Sequence, residues 1–207
     1  MWRRKPVAAF TISLAIVYGL LIAPWPGWRA TYGRLFRSMS EAAYGTEREP
    51  LIVRVRPAEN PPKPGIDTQF VLIKRSDIIP GGSAKARILG IDTRGVGWVP
   101  TALLLSLACA TPLPWIRRAS ALLVGLVLVN AYVLFAVAAD LWNQSAGLAP
   151  ISFVTFRPAL GNFLEETFLV QLGPSFAFPV LIWALAITAV GGWHSLSAAF
   201  QIRPTAD

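Results

Sequence analysis

The chain has 207 residues, of which 54% are hydrophobic and 14% are charged, and its formal net charge is +8. Soluble domains carry about 25% charged residues, so this composition indicates a protein that lives in a bilayer. It excludes a disordered chain, which has too few apolar side chains to form a core, and a disulfide scaffold, because there is a single cysteine. Since no DNA-reading element accompanies the basic charge, nucleic acid is not an expected partner.

Four apolar segments predict transmembrane helices, because roughly 20 such residues cross about 30 Å of hydrocarbon. The basic N-terminus also fits a signal peptide, but the residues before Pro24 make a poor cleavage site, so we expect an uncleaved anchor. The predicted fold class is an α-helical membrane protein with four transmembrane helices and an extracytoplasmic α+β insert. The segments are residues 7–24 in the N-terminal region 1–26, then 97–115, 119–142 and 176–194, and none contains Lys or Arg.

Basic residues in the short flanks predict the orientation, because cytoplasmic loops carry the excess of Lys and Arg. With four spans, six basic residues fall on one side, and one, Arg157, falls in the short loop opposite. We therefore expect a multi-pass protein of the bacterial inner membrane with both termini, including the tail 195–207, in the cytoplasm. The six residues are Arg3, Arg4, Lys5, Arg117, Arg118 and Arg203.

The extracytoplasmic insert, residues 27–96, begins with a predicted amphipathic helix. Apolar side chains recur there at steps of three and four residues, and Arg34 and Arg37 lie on the polar side. Two interpretations are equally favoured: the helix lies in the outer membrane interface beside anionic headgroups, or its apolar stripe covers the transmembrane bundle. The stripe consists of Trp28, Tyr32, Leu35, Phe36, Met39 and Ala43.

Three strand-like runs follow and predict a small antiparallel sheet. They are LIVRVR at 51–56, QFVLIK at 69–74 and AKARILGI at 84–91, and the stretch 76–83 supplies Pro and Gly for the second turn. About three strands are too few for a sheet that is stable alone, so we expect this one to lean on the membrane or on a partner. Its edges could accept a strand from another chain, although basic edge residues more often discourage such pairing.

The second outer loop, residues 143–175, contains another predicted interfacial helix after Pro158. Glu165 and Glu166 on its polar side are candidate contacts for a cation or for the basic first helix. A solvated acidic edge is the simpler interpretation of this pair, and we favour it.

Catalytic and metal-binding motifs are scarce. One His and one Cys cannot form a metal cluster, and no Gly-rich phosphate loop is present, so no cofactor is expected. A cysteine nucleophile would need a base and a cation, and Cys109, His194 and either Arg117 or Arg118 supply these types near the inner ends of predicted spans. Packing explains Cys109, and topology explains the Arg pair, more simply than catalysis does.

Two polar residues lie inside the third predicted span, where such groups are expensive. Asn130 and Asp140 are about 15 Å apart along a helix and so do not form a single site. We expect Asn130 to hydrogen-bond to another helix, and Asp140 to reach the headgroups or an external Arg. The alternative is a polar transport path that both residues line.

A basic start is followed by an apolar span ending LLIAPWPGW, the aromatic-basic YGRLFR, an insert ending DTRGVGWVPTALLLSLACATPLPWIRR, and a final apolar span. In this layout, and in the stretches 23–37 and 92–118, the chain resembles accessory integral membrane proteins associated with bacterial exosortase-type systems. The resemblance implies an associated subunit and not the enzyme, because exosortases are cysteine transpeptidases with Cys, Arg and His at the outer face. Here Cys109 lies in a LACAT context, and His194 is predicted near the cytoplasm.

The sequence thus predicts a non-catalytic accessory or assembly subunit of a bacterial inner-membrane complex, linked to protein sorting or envelope export. Its expected partners are the lipid bilayer and either a membrane protein or a second copy of the chain. One alternative is a small transporter or channel component that uses Asn130 and Asp140, and another is a membrane enzyme that depends on Cys109. The candidate interaction residues are Asn130, Asp140, Arg34, Arg37, Glu165 and Glu166.

Overall fold

The computed structural model describes residues 6–46, 51–59, 63–78, 84–144 and 172–191. The chain divides into two compact units. The predicted helix after Pro158, with Glu165 and Glu166, lies outside the described residues, as does His194. The helical unit comprises Met1–Ala23, Val99–Asn130 and Ser175–Asp207, and the sheet unit comprises Pro24–Trp98 and Ala131–Pro174.

Helices, strands and one π-helical turn make up the described residues of the chain. Helix α4 contributes to both units, since the division falls between Asn130 and Ala131. In chain order the elements are α1 (Pro6–Ile22), α2 (Trp28–Tyr44), β1 (Leu51–Pro57), β2 (Thr68–Ile78), β3 (Ala84–Ile91), the π-helical turn Arg94–Trp98, α3 (Val99–Ala110), α4 (Trp115–Gln144) and α5 (Leu172–Ala189).

The prediction of four transmembrane helices is wrong. Within the described residues, one helix is long and apolar enough to cross a membrane, over the 27 residues Trp115–Leu141. A 17-residue helix rises only about 26 Å, which is less than the roughly 30 Å of hydrocarbon. The predicted spans at 7–24, 97–115 and 176–194 correspond to shorter apolar helices of 10–17 residues, namely Val7–Ile22, Arg94–Ala110 and Phe176–Ala189.

Breaks in the helices explain why counting apolar residues overestimated the spans. Helix α1 ends at Ile22, just before Pro24. The segment predicted at 97–115 begins inside the π-helical turn and crosses the Pro112–Pro114 stretch, at which α3 has already ended. Because proline has no N–H and clashes with the preceding turn, it interrupts a helix without lowering the apolar count greatly.

The predicted three-stranded antiparallel sheet is confirmed, with strand order β1-β2-β3. Val53 pairs with Leu72 across β1 and β2, and Leu72 pairs with Arg87 across β2 and β3. Strand β2 continues to Ile78, into the stretch predicted as a turn, with a register shift between Ile73 and Ile78.

The sheet finds its support inside the chain. Successive side chains of a strand point to opposite faces, and one face carries Phe70 and Leu72 of β2 with their neighbours. Helix α2 covers this core face with Phe36, and the C-terminal half of α4 covers it with Val133 and its neighbours. The buried cluster consists of Phe36, Val53, Phe70, Leu72, Leu89, Ile91, Val133, Val137 and Leu141.

Helix α2 is amphipathic as predicted, and its apolar stripe lies on the sheet. Tyr32, Phe36 and Tyr44 recur at steps of four or eight residues and contact the buried cluster. The Tyr44 hydroxyl donates a hydrogen bond to the carbonyl of Leu134 on α4 (2.6 Å). Leu35, which belongs to the predicted stripe, is 54% exposed. The stripe therefore serves the core of the sheet unit.

The helical unit is apolar on its outside as well as in its interior. Leu113 and Ile187 are buried and pack with Trp183, whose ring also meets Phe10 of α1. A surface this apolar is suited to lipid or to another apolar surface, not to water. The exposed apolar side chains include Val7, Ile12, Ile16, Leu20, Trp115, Ile116, Leu123, Val127, Leu181 and Leu185.

Truncating the core face should unfold the sheet unit. Leu72 is 1% exposed, whereas Leu35 is 54% exposed, so the same change at the two positions compares a buried leucine with an exposed one. We expect Leu72→Ala to lower the free energy of unfolding by about 2–5 kcal/mol and Leu35→Ala by less than about 0.5 kcal/mol. Hydrogen exchange of the sheet amides in mild detergent measures both, and equal losses would contradict this packing.

The bond between α2 and α4 should make the sheet unit sensitive to alkali. Burial raises the pKa of Tyr44 from 10.0 to about 12. Between these values an unfolded tyrosine ionises and the folded one does not, so the stabilisation is complete below pH 10 and is lost as the pH rises to 12. Tyr44→Phe should lose about 0.5–1.5 kcal/mol at neutral pH. Its deficit relative to the native chain should shrink between pH 10 and pH 12, as thermal unfolding at each pH would show.

Candidate binding surface

The sheet has a second face, which lies opposite the core residues. Because the period of a strand is two, this outer face carries the side chains that alternate with the core residues. Arg54 of β1, Val71 of β2 and Ile88 of β3 lie in one row across it, since each is paired with the next. The outer face comprises Ile52, Arg54, Arg56, Gln69, Val71, Ile73, Ala86, Ile88 and Gly90.

The centre of the outer face is buried. Val71 is 8% exposed, although it points away from the core, whereas Ile88 at the end of its row is 53% exposed. In the next row Ile66 packs over Gly90, where an added Cβ would lie 2.9 Å from Ile66 Cδ1. Glycine is therefore required at position 90 for Ile66 to close this end of the face.

The charge of the outer face has one sign. Arg54 and Arg56 are both exposed, and none of the nine residues of this face is a carboxylate. Residues two apart on a strand are about 6.6 Å apart, so the two guanidinium groups belong to one basic patch. Arginine presents a planar fork of donors that matches carboxylates and phosphates. The patch is suited to an anionic partner.

A groove of about 670 Å³ runs along β1 beside this patch. Its volume falls within the range of roughly 300–1,000 Å³ that is typical of binding clefts in proteins. The lining is both apolar and charged, and it includes both arginines and one carboxylate. The lining residues are Glu41, Gly45, Thr46, Val53, Arg54, Val55, Arg56, Val71 and Ile73.

The backbone edge of β1 is closed along this groove. Val53 exchanges two backbone hydrogen bonds with Thr46, at 2.8 and 3.1 Å, and the Val55 N–H donates to Glu41 Oε2 (2.8 Å). Pro57, the next residue whose backbone points outward, has no N–H. An occupant of the groove must therefore use side-chain contacts, because little of the β1 backbone is left to pair with another strand.

Arg37 and Arg34, both predicted as interaction residues, differ in their surroundings on α2. The Arg37 Nη1 donates to the hydroxyl of the buried Thr68 (3.4 Å), so Arg37 links α2 to the start of β2. Arg34 is exposed. The structure brings neither of them into the lining of the groove.

Asn130 and Asp140 do not share a site. The Asn130 amide donates to the carbonyl of Leu126, one turn earlier in the same helix (2.7 Å), instead of to another helix as expected. Asp140 is half-buried near the C-terminal end of α4. The two residues lie in different units of the chain.

Of the pair Arg117 and Arg118, the second residue has a structural role. Arg118 Nη2 donates to the carbonyls of Thr111 (2.9 Å) and Leu113 (3.3 Å), which lie just after the end of α3, where carbonyls lack helical partners. The Thr111 hydroxyl in turn accepts from Trp183 Nε1 (2.9 Å). Arg118 is thus held by the end of α3, and Cys109 is exposed. Within the described residues, no group of His, Cys, Asp and Glu could hold a metal ion.

The groove was not predicted from the sequence, although some of its signal was present. The alternation in LIVRVR places Arg54 and Arg56 on one face of a strand, which is visible without a structure. Glu41 and Thr46 gave no comparable signal, because they reach β1 only through the turn that follows α2. The role of Arg118 was hidden because topology alone accounted for a basic pair at that position.

Comparisons of the chain with protein-family models, with curated proteins and with solved structures find no match. The resemblance to exosortase-associated proteins therefore stays a prediction from the sequence.

The two members of the arginine pair should differ in their effect on stability. Arg118→Leu leaves the carbonyls of Thr111 and Leu113 without their donor, so we expect it to lower the free energy of unfolding by about 1–3 kcal/mol. Arg117→Leu, on the preceding residue, should change it by less than about 0.5 kcal/mol. Thermal unfolding in mild detergent compares the two, and equal effects would mean that the pair serves topology alone.

Proposed function

We propose that the protein is a non-catalytic accessory subunit of a bacterial inner-membrane complex, which binds an acidic segment of a partner protein at the groove beside β1. The observation that carries this proposal is the composition of the outer face. It exposes Arg54, Arg56 and Ile88 around a buried centre, while the opposite face of the same sheet is filled by α2 and α4.

Attachment to the membrane is supported by the apolar helices. Trp115–Leu141 is long and apolar enough to span a bilayer, and the helical unit exposes large aliphatic side chains on α1, α4 and α5. The C-terminal half of α4 also packs in the sheet unit through Val133, Val137 and Leu141. We therefore propose that α4 attaches the chain to a membrane, where lipid covers exposed apolar side chains of this helix such as Leu123 and Val127.

A protein partner is favoured over a lipid surface by the shape of the site. A bilayer is flat at this scale, whereas the basic patch borders a concave groove of about 670 Å³. Acidic and apolar residues of a protein segment match Arg54, Arg56 and Val71.

The connection to protein sorting or envelope export is supported by the sequence resemblance alone. The alternative of a transporter has less support, because the Asn130 amide donates a hydrogen bond to Leu126 within its own helix. The alternative of a cysteine enzyme has less support, because Arg118, one of its two proposed cations beside Arg117, is engaged by backbone carbonyls.

Photocrosslinking in native membranes tests the binding proposal. A benzoylphenylalanine at Ile73 lies in the groove, and the same residue at Leu35 lies on the exposed side of α2. We expect a crosslinked product with a second protein from position 73 and not from position 35. Adding Arg54→Glu should reduce this product about tenfold, which corresponds to about 1.4 kcal/mol.

Lys63→Glu is the matched control, because Lys63 is exposed, carries the same charge and is absent from the groove lining. It should leave the crosslinked product unchanged. A product that survives Arg54→Glu, or one that forms only between copies of this chain, would contradict an acidic protein partner at the groove.

A further inference from the structure

We propose that the outer edge of β3 binds an extended segment of the partner as a fourth strand, and that this segment alternates acidic and apolar residues. The inference rests on the proposed function and concerns a different element of the sheet. It follows from the direction of the backbone groups in the three strands and from the contrast between the two edges.

The backbone hydrogen bonds of the sheet determine which β3 groups point outward. In antiparallel strands the backbone direction alternates from residue to residue. Since Val53 points away from β2 to Thr46, its neighbours Ile52 and Arg54 point to β2, and their partners there are Ile73 and Val71.

The remaining residues of β2 then point to β3. These are Thr68, Phe70 and Leu72, which pair with Ile91, Leu89 and Arg87. The Ile91 carbonyl accepts from the Asp67 N–H (3.2 Å), in agreement with this direction. The N–H and C=O groups of Ala86, Ile88 and Gly90 therefore lie along the outer edge of the sheet.

The two edges of the sheet differ. On β1 the outward groups of Val53 are bonded to Thr46, and the Val55 N–H is bonded to Glu41. On β3, the described residues contain no backbone partner for the outward groups of Ala86, Ile88 and Gly90. A row of three such residues supplies enough donors and acceptors for a short added strand.

The side chains of β3 indicate which strand would fit. Ile88 on the outer face is 53% exposed, so a neighbouring apolar side chain would bury it. Arg87 is exposed on the other face, so a carboxylate beside it would find an opposite charge across the strands. Residues next to each other on the added strand fall on these two faces in turn, which produces the alternation of acidic and apolar residues.

Charge also favours an acidic chain over a second copy of this one. The segment 24–98 contains 12 basic and 7 acidic residues, and β3 itself carries Lys85 and Arg87 with no acid. Edge-to-edge pairing of two copies would bring two basic strands together, which is unfavourable. Basic edge residues that discourage pairing in general thus become selective for an acidic strand.

A synthetic peptide tests the proposal on the full chain in mild detergent. The probe is an acetylated peptide of about nine residues in which Val and Glu alternate, and its control replaces Glu by Lys. Residue-resolved hydrogen exchange should show the Ala86, Ile88 and Gly90 amides slowed at least about tenfold by the Val–Glu peptide and unchanged by the Val–Lys peptide. The Arg87 and Leu89 amides already point to β2 and should not respond.

Two variants separate the contribution of the β3 backbone to peptide binding from that of the Ile88 side chain. Ile88→Pro removes an outward N–H without removing a bond to β2, which is the kind of edge position that proline tolerates. Ile88→Ala keeps the N–H and removes most of the side chain. We expect the peptide to bind about tenfold more weakly to Ile88→Pro than to Ile88→Ala, and retained protection at Arg87 and Leu89 would show that the sheet is intact.

Three results would overturn the inference: no slowing at the outward amides, equal slowing by both peptides, or amides that are protected before any peptide is added. The last result would mean that the edge is occupied by this chain or by a second copy. If the crosslink from Ile73 is lost in Arg54→Glu while the β3 amides do not respond, strand addition is wrong and the acidic partner at the groove stands.

Discussion

The sheet unit depends on the burial of the core face of β2. Three short strands expose too much of their surface to be stable alone, and Phe70 and Leu72 are covered because Phe36 of α2 and Val133 of α4 pack over them. These residues are far apart in the sequence, so the unit closes only when α2 and α4 have both come to the same face. The bond from the Tyr44 hydroxyl to the Leu134 carbonyl joins the two covering helices directly. The buried cluster of the sheet unit therefore lies on one side of the sheet.

The need to bury the core face of β2 also explains why some residues of α4 are apolar. Val133, Val137 and Leu141 recur at four-residue steps and are buried, while Phe135 between them is 43% exposed. Hydropathy counts all four as apolar, since an apolar side chain can be driven into a protein core or into lipid by the same effect. The helix therefore passes the length and composition test for a membrane span while its C-terminal half acts as a core helix. An apolar count measures how much surface avoids water and does not identify what covers it.

Prediction from the sequence succeeded for elements whose periodicity is local and failed where distant segments of the chain meet. The alternation in LIVRVR and the four-residue steps in α2 determine secondary structure directly, and both are found. Two of the predicted spans were too long because the breaks at Pro24 and at Pro112–Pro114 shorten helices without changing the composition much. The sheet was predicted to lean on the membrane or on a partner, because nothing in the local pattern of α4 indicates that its C-terminal residues pack on β2. Glu41 and Thr46 were missed for the same reason, since they meet β1 only after a turn.

The two edges of the sheet differ, and so do its two faces, in how much of their surface remains for a partner. One face is filled by helices and one edge is closed by Thr46 and Glu41, so within the described residues the surfaces that remain for a partner are the outer face and the β3 edge. These two surfaces share Ile88, whose side chain lies on the outer face and whose backbone groups lie along the edge. A segment that pairs with the edge would therefore extend the outer face by one strand and bury its most exposed apolar residue. The net positive charge of this region of the chain then favours an acidic partner, because it attracts an acidic strand and repels a basic one.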